Sequence, residues 1–391
     1  MDRYRIPFLA LLGAAVFFFT GMWLGGHPND LPNSLRSKFV ASDTAVRDEL
    51  IDTIEQEYYK KVPRSELETA SLKGIVASLG DRFSRYLTPV ETKSFNDQLN
   101  GGEFAGIGVT VNPVKRGLQV DAVIPMSPAA KAGIRQGDVI TAVSGKSIAG
   151  AAARTASSQI RGKPGTSVRL TVGSPSGKSR TLNVKRAKLQ VPVTSGRMVT
   201  QKGVKLGVAA LSTFSEGAHG KLREQIDSLL KDGAKGIVLD LRGNGGGLLQ
   251  EGRLVASIFV QKGLIVSTNG RSSPEQKLFA TGGAISPKIP VVVLVDGGTA
   301  SASEIVTGAL RDHDRATVVG TKTFGKGVFQ QIEPLSNGGV LDLTVGRFFL
   351  PDGENLGGHG IVPQVKASDN PRTPRDEALD TALSTLRSKI G

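Results

Sequence analysis

The sequence predicts an α/β body on a largely parallel sheet, preceded by a helical region and interrupted by a β-rich module. Three observations predict it. Beyond residue 200, strand-like and helix-like stretches alternate: "GVAAL", a helix near Leu222 to Leu230, "GIVLDL", a helix near Leu248 to Val260, then "PVVVLVD" and another helix. Between about residues 101 and 190 the chain reads instead as short Val-rich strands punctuated by glycine, as in "GIGVTVNPV", "LQVDAVI" and "SVRLTV". Before residue 100, apolar positions such as Val46, Leu50, Ile51 and Ile54 recur near helical spacing.

The first element is "MDRYRIPFLALLGAAVFFFTGMWLGG". Ile6 to Gly26 carries no charge, and 21 helical residues span about 30 Å, enough for a bilayer core. Arg3 and Arg5 precede it and the next basic residue is Arg36, which predicts a body outside the cytoplasm. Residues 1–28 are expected to be a membrane anchor or a signal segment, and the lack of a clear A-x-A-like cleavage site before His27 favours the uncleaved anchor. Residues 29–99 follow as a helical region that Pro63 divides, with a second helix near Leu67 to Leu79. The β-rich module then covers residues 100–186 and the α/β body residues 187–371. Residues 372–391, with "DEALDTALSTLRSKI", form one more amphipathic helix.

Composition narrows the chemistry. Apolar residues make up 39% and glycines number 49 in 391 residues, which describes a folded, loop-rich chain of two or three domains. The formal charge is +14, and it is uneven: residues 101–190 hold 14 Lys/Arg against Glu103, Asp121 and Asp138. A partner bearing negative charge fits that segment. Nucleic acid does not, because the basic residues are dispersed and aromatics for base stacking are scarce. Cysteine is absent, which excludes disulfides, thiolate metal sites and cysteine nucleophiles. Any histidine mechanism must use His27, His219, His313 or His359, and none has a local setting that marks it as a base.

Residues 127–148, "SPAAKAGIRQGDVITAVSGKSI", read as a short helix stopped by Gly133, a turn at Gly137–Asp138, a buried strand and a turn at Ser144–Gly145. This stretch resembles the signature of a PDZ domain almost position for position. The resemblance implies that Gly106, Ile107, Gly108 and Val109 form the carboxylate-binding loop. Glycine lets backbone N–H groups turn inward on a C-terminal carboxylate while the peptide adds as a strand.

"GGTASASEIVTGAL", residues 297–310, packs Thr299, Ser301 and Ser303 into five positions. Ser301 to Glu304 is an S-x-x-E capping box ahead of an apolar helix face, so Ser301 reads as a helix cap. The same stretch follows a buried strand and a Gly-rich turn, which places a side chain at the carboxyl edge of a sheet, where ligands bind. Both readings stay open on this evidence. Lys326 lies between two glycines, where a solvated loop lysine is the ordinary outcome, and Gln330 four residues on is expected to share its face.

Taken together, "SLGDRFSRYLTP", the PDZ-like insert, "DLRGNGGG", "SASE" and the Lys of "TFGKG" 25 residues later resemble the C-terminal processing peptidases, or tail-specific serine proteases, over nearly the whole chain. That resemblance implies a protease core with Ser301 as nucleophile, Lys326 as base and Gln330 orienting the amine. It implies N–H donors to an oxyanion from Ala302 and Gly246, and requires no metal or cofactor. Substrates would be proteins or peptides with free C-termini, met by a single-pass protein of the bacterial cytoplasmic membrane whose body faces the periplasm or cell wall. An activating adaptor and homo-oligomers stay open. Gly245 stands where the family pattern has Pro, and Gln364 where it has Asp.

Three rivals are weaker. "GTKTFGK" has Gly327 where a phosphate loop needs Ser or Thr, and Leu248 occupies a position a dinucleotide loop reserves for Gly. A catalytically silent PDZ scaffold would need neither Ser301 nor Lys326.

Overall fold

The computed structural model describes residues 16, 18, 20, 21, 42–100, 103–124, 126–150, 153–175, 177–190, 192–370, 372–373 and 375–390. The expected anchor therefore lies almost wholly outside the described residues. Among those described, no helix is long and apolar enough to cross a membrane. The chain divides into two compact units, Met1–Tyr86 and Leu87–Gly391.

In the first unit, helix α1 (Ser42–Glu57) and helix α2 (Arg64–Ala77) are separated where Pro63 was expected to interrupt. Pro63 is the N-cap residue of α2, in an extended conformation that its ring imposes without losing a helical N–H. Arg64 reaches back to Asp52 and Glu55 of α1 and forward to Glu68, which fixes the hairpin. Strand β1 (Arg85–Leu87) crosses the boundary at Tyr86. The region expected as helical, divided at Pro63, also holds this short strand and a third helix, which belongs to the second unit.

That helix, α3 (Pro89–Leu99), opens with a complete capping box. Thr88 N–H donates to Glu91 Oε2 at 2.8 Å, and Glu91 N–H to Thr88 Oγ1 at 3.3 Å. The β-rich module follows: β2 (Glu103–Gly106), β3 (Val109–Val114), β4 (Gly117–Val123), α4 (Pro128–Lys131), β5 (Val139–Val143), β6 (Lys146–Ser147), α5 (Ala153–Ile160), β7 (Ser167–Gly173), β8 (Ser179–Lys185) and β9 (Ala187–Gln190). Its main sheet runs β3-β4-β5-β7-β8, wholly antiparallel, with β6 on β5. Alternation along β7 buries Val168, Leu170 and Val172 against Ile107, Leu118, Val120, Ile140 and Val184. β2 and β9 pair with each other, Glu103 opposite Gln190.

The α/β body contains β10 (Thr194–Gln201), β11 (Val204–Leu211), α6 (Ala218–Lys231), β12 (Ile237–Asp240), α7 (Leu249–Ser257), β13 (Leu264–Asn269), β14 (Gln276–Phe279), β15 (Val291–Val295), α8 (Ala302–Asp312), β16 (Thr317–Gly320), β17 (Val328–Pro334), β18 (Val340–Phe349), β19 (Val365–Lys366) and α9 (Glu377–Ser388). Its sheet order is β10-β11-β12-β15-β16-β19, parallel except for the edge strand β10. All five residues of β15 are buried because both faces are covered. Helices α6, α7 and α8 contribute to the core on one face, and α9 supplies the other. A further antiparallel group runs β17-β18-β13-β14. β17 and β18 are mostly half-buried or exposed, so they lack the apolar runs that betray a core strand.

One ion cluster fastens α9 to the end of β12. Arg242 donates to both oxygens of Asp376, at 2.8 and 2.9 Å, to Asp240 at 2.7 Å and to Asp369 at 3.2 Å. Asp376 also accepts the Leu379 N–H at the start of α9. The Arg242 hydrogen bond holds the Asp376 carboxyl below its ordinary value, opposed in part by burial. A depressed folded-state value means the charged carboxylate stabilises the fold above the ordinary carboxylate range near pH 4, and that contribution is lost as pH falls through it. Urea midpoints between pH 3 and 7 should therefore fall less steeply toward acid in Asp376→Asn than in the wild type, with the variant less stable at pH 7.

Candidate active site

β15 runs into the turn Asp296–Ala300, and α8 starts immediately after Ser301. The three hydroxyls of this stretch have different surroundings. Thr299 is fully buried, and its Oγ1 donates to Leu241 O at 2.9 Å and accepts Asp296 N–H at 3.0 Å. Ser303 is equally buried and donates to Asn244 O at 2.8 Å. Ser301 is half-buried and sits at φ 56°, ψ −118°, a left-handed conformation that costs a non-glycine residue about 1–3 kcal/mol. Strain of this kind aims a side chain out of a strand-to-helix turn. Packing absorbs two of the hydroxyls and presents the third.

Glu304 organises the surroundings of Ser301. Its side chain is wholly buried, and its carboxylate accepts four hydrogen bonds. Oε2 takes the N–H of Ser301 and the N–H of Lys326, each at 3.0 Å. Oε1 takes Gly325 N–H at 2.7 Å and Thr323 Oγ1 at 2.6 Å. One side chain thus joins the start of α8 to the "TFGKG" loop and brings the backbones of Ser301 and Lys326 to a single oxygen atom. Four donors are the full complement of a carboxylate, which is how a buried charge is tolerated.

Gln330 lies in β17, two residues into the strand, and its Nε2 donates to Thr344 Oγ1 at 3.0 Å. Lys326 lies in the loop just before that strand.

The two expected oxyanion donors differ. The N–H of Ala302, the first residue of α8, has no acceptor among the described residues and points its helix end at the site. The N–H of Gly246 donates to Asn244 Oδ1 at 2.9 Å, so in this conformation it is engaged elsewhere. Gly246 also lies close to the serine. At φ +97° its Cα faces Ser301 and Ala302 so closely that a Cβ there would lie 2.8 Å from Ser301 Cβ. Asn244, fully buried, ties three parts together. Its Nδ2 donates to Leu211 O, and its carbonyl accepts both Ala300 N–H and Ser303 Oγ.

The histidines are accounted for elsewhere. His219 Nδ1 lies 2.9 Å from Glu251, His313 Nε2 lies 2.7 Å from Leu264 O, and His359 Nε2 lies 3.2 Å from Glu354. His27 lies outside the described residues. No group of residues that could hold a metal ion occurs among those described.

Gly106 to Val109 lines a cavity of about 1080 Å³ together with Ser157, Ile160 and Arg161 of the α5 region and Asp240 and Arg242 of the body. The carbonyls of Ile107 and Gly108 accept Ala129 N–H and Ile124 N–H, while their own N–H groups have no acceptor among the described residues. Gly108, at φ +88°, makes this possible.

Sequence reasoning missed Asn244 and Thr323 and read Glu304 only as half of a cap. The available signals were an Asn opening a glycine run, which marks an Asx turn, and the S-x-x-E spacing itself.

Comparison with known proteins agrees with this architecture. The model of peptidase family S41 matches residues 205–367, and that of the PDZ domain residues 94–173. A protein of Staphylococcus aureus described as a "probable CtpA-like serine protease" is 38% identical over 340 residues, 86% of this chain and 66% of that protein. Its counterpart in Staphylococcus saprophyticus is 38% identical over 348 residues, 88% of this chain and 68% of that protein. The chain therefore spans about two thirds of the length of the curated relatives it matches. Among solved structures, the photosystem II D1 C-terminal processing protease is 28% identical at a TM-score of 0.52, covering 90% of this chain and all of that one.

Replacing the central carboxylate tests the geometry directly. Glu304→Gln turns an amide NH₂ toward donors and should cost about 3 kcal/mol in chemical denaturation, since hydrogen bonds to a charged group contribute about 1.5–3 kcal/mol each. Thr323→Val, which removes one of the four bonds and also the acceptor of the Ile361 N–H, should cost a comparable amount.

Proposed function

The chain belongs to peptidase family S41, and on that premise we propose that it is an exported serine endopeptidase with a Ser301–Lys326 dyad, selecting substrates by their C-termini through its PDZ domain. The observation that supports this most is the shared Glu304 oxygen. It places the strained Ser301 and the loop of Lys326 against each other although 25 residues separate them.

In this reading neutral Lys326 removes the proton of Ser301 Oγ as that oxygen attacks a peptide carbonyl carbon. A lysine that works near pH 7 must fall about three units from 10.4, which corresponds to about 4 kcal/mol. Desolvation of the amine by bound substrate would supply that shift. The tetrahedral oxyanion meets the Ala302 N–H at the positive end of α8. Gly246 becomes the second donor once its N–H exchanges Asn244 Oδ1 for the oxyanion. Gln330, carried by β17, orients the lysine without adding charge. When the C–N bond breaks, the lysine ammonium protonates the leaving amine, and the same lysine then activates the water that releases the acyl group from Ser301.

The N–H groups of Ile107 and Gly108 would take the substrate carboxylate, and the open edge of β3 would pair with the residues before it. The uncharged stretch Ile6 to Gly26 would keep the body on the extracytoplasmic side of the membrane.

Cleavage of an unstructured protein with an apolar C-terminus, followed by mass spectrometry, tests the dyad. Ser301→Ala and Lys326→Ala should each lose activity by about 10³-fold or more, and a fluorophosphonate probe should label Ser301 in the wild type alone. Full turnover in Lys326→Ala removes the dyad. Turnover in both variants, or a wild type and Ser301→Ala that behave alike, gives the chain to the silent-scaffold alternative or to another nucleophile.

A further inference from the structure

The PDZ domain carries a charge imbalance that neither the dyad nor the carboxylate loop uses. Of the formal net charge of +14, residues 101–190 contribute 11 positive charges, from 14 Lys/Arg against Glu103, Asp121 and Asp138. Asp138, 2% exposed, is itself taken by Arg180 at 2.7 Å and by Arg135 N–H, so it offers little to a partner.

Several of the cations gather at one end of the module, and Arg186 is the reason. Its guanidinium donates to Gln159 O and Ile160 O at the end of α5, and to Thr166 Oγ1 and Ser167 O at the start of β7. That fork draws the α5 terminus, the 161–166 loop and the β7–β8 pair together. Arg161 and Lys163 lie on the loop and are exposed. On β7–β8 the register sets Ser167 against Lys185 and Arg169 against Asn183, with Arg169 and Lys185 outward and Val168 and Val184 in the core. Arg169 also lies beside Gly145, in the turn that carries the exposed Lys146.

We propose that this end of the PDZ domain docks on an anionic phospholipid surface. The chemistry of the patch selects that partner over a protein. Arg161, Lys163, Arg169, Lys185 and Lys146 surround no exposed large apolar side chain among the described residues, whereas a protein interface needs a desolvated apolar centre. A headgroup layer needs only cation density, and the attraction falls off within a Debye length. The rest of the chain is nearly balanced, so the field of the molecule points from this domain. A single basic patch binds such a surface weakly, and the apolar stretch Ile6 to Gly26 supplies the second contact that durable attachment takes. Because Arg161 also lines the cavity of the carboxylate loop, docking sets that groove at headgroup level. The proposal stands independently of the peptidase chemistry.

The test uses the full chain in nanodiscs of phosphatidylcholine alone or with one third phosphatidylglycerol, read by acetylation rates of single lysines. Lys146, Lys163 and Lys185 should react roughly threefold or more slowly on anionic discs, and high salt should abolish the difference. The exposed body lysines Lys231 and Lys235 should react equally on both. Arg169→Glu with Lys185→Glu, its fold checked by circular dichroism, should lose the protection at Lys146 and Lys163. Equal rates on the two discs, or equal slowing at Lys231 and Lys235, overturns the proposal. Protection by polyglutamate without protection on anionic discs also overturns it and gives the patch to an acidic polypeptide.

Discussion

The site depends on one buried carboxylate. Glu304 projects from the first turn of α8 and must satisfy its charge where water does not reach. It does so with donors from two chain segments: Ser301 N–H from its own helix, and Thr323 Oγ1, Gly325 N–H and Lys326 N–H from the loop that leads into β17. An unmet buried charge is so costly that the loop cannot leave without replacing these bonds. A helix cap has therefore become the joint between two functional segments. Thr323 extends the joint by accepting Ile361 N–H at 2.7 Å, which brings the "GIVPQ" stretch into the same network.

A second constraint acts on the other side of Ser301. The loop after β12 crowds against the elbow, and at Gly246 and Gly247 a side chain would collide with backbone: with Ala300 O at 2.8 Å and with Phe214 O at 2.5 Å. Asn244 holds this loop with its amide and carbonyl, yet its Oδ1 also occupies the Gly246 N–H. The same residue that places the loop thus also holds the Gly246 N–H.

Arg242 connects this loop to more distant parts of the chain. It follows Asp240 at the end of β12, binds the N-terminus of α9 through Asp376, and lines the cavity shared with Gly106 to Val109. Three carboxylates around one guanidinium make a rigid anchor. The loop that faces Ser301 is therefore fixed at its start by α9 and along its length by Asn244.

Periodicity and turn chemistry in the sequence determined the strand–helix alternation of the α/β body, the β-rich module and the strand-to-helix turn at Ser301, because those depend on neighbours within a few residues. The roles of Ser301, Ala302 and the Gly106 to Val109 loop came only from the family resemblances. Local spacings could not separate Ser301 from Thr299 and Ser303, whose hydroxyls are taken by Leu241 and Asn244, more than fifty residues away in the chain. They could not show that Glu304 serves Lys326 or that Gly246 donates to Asn244. Those facts arise from contacts between segments distant in sequence, and only tertiary packing, under the need to satisfy each buried polar group, decides which donor meets which acceptor.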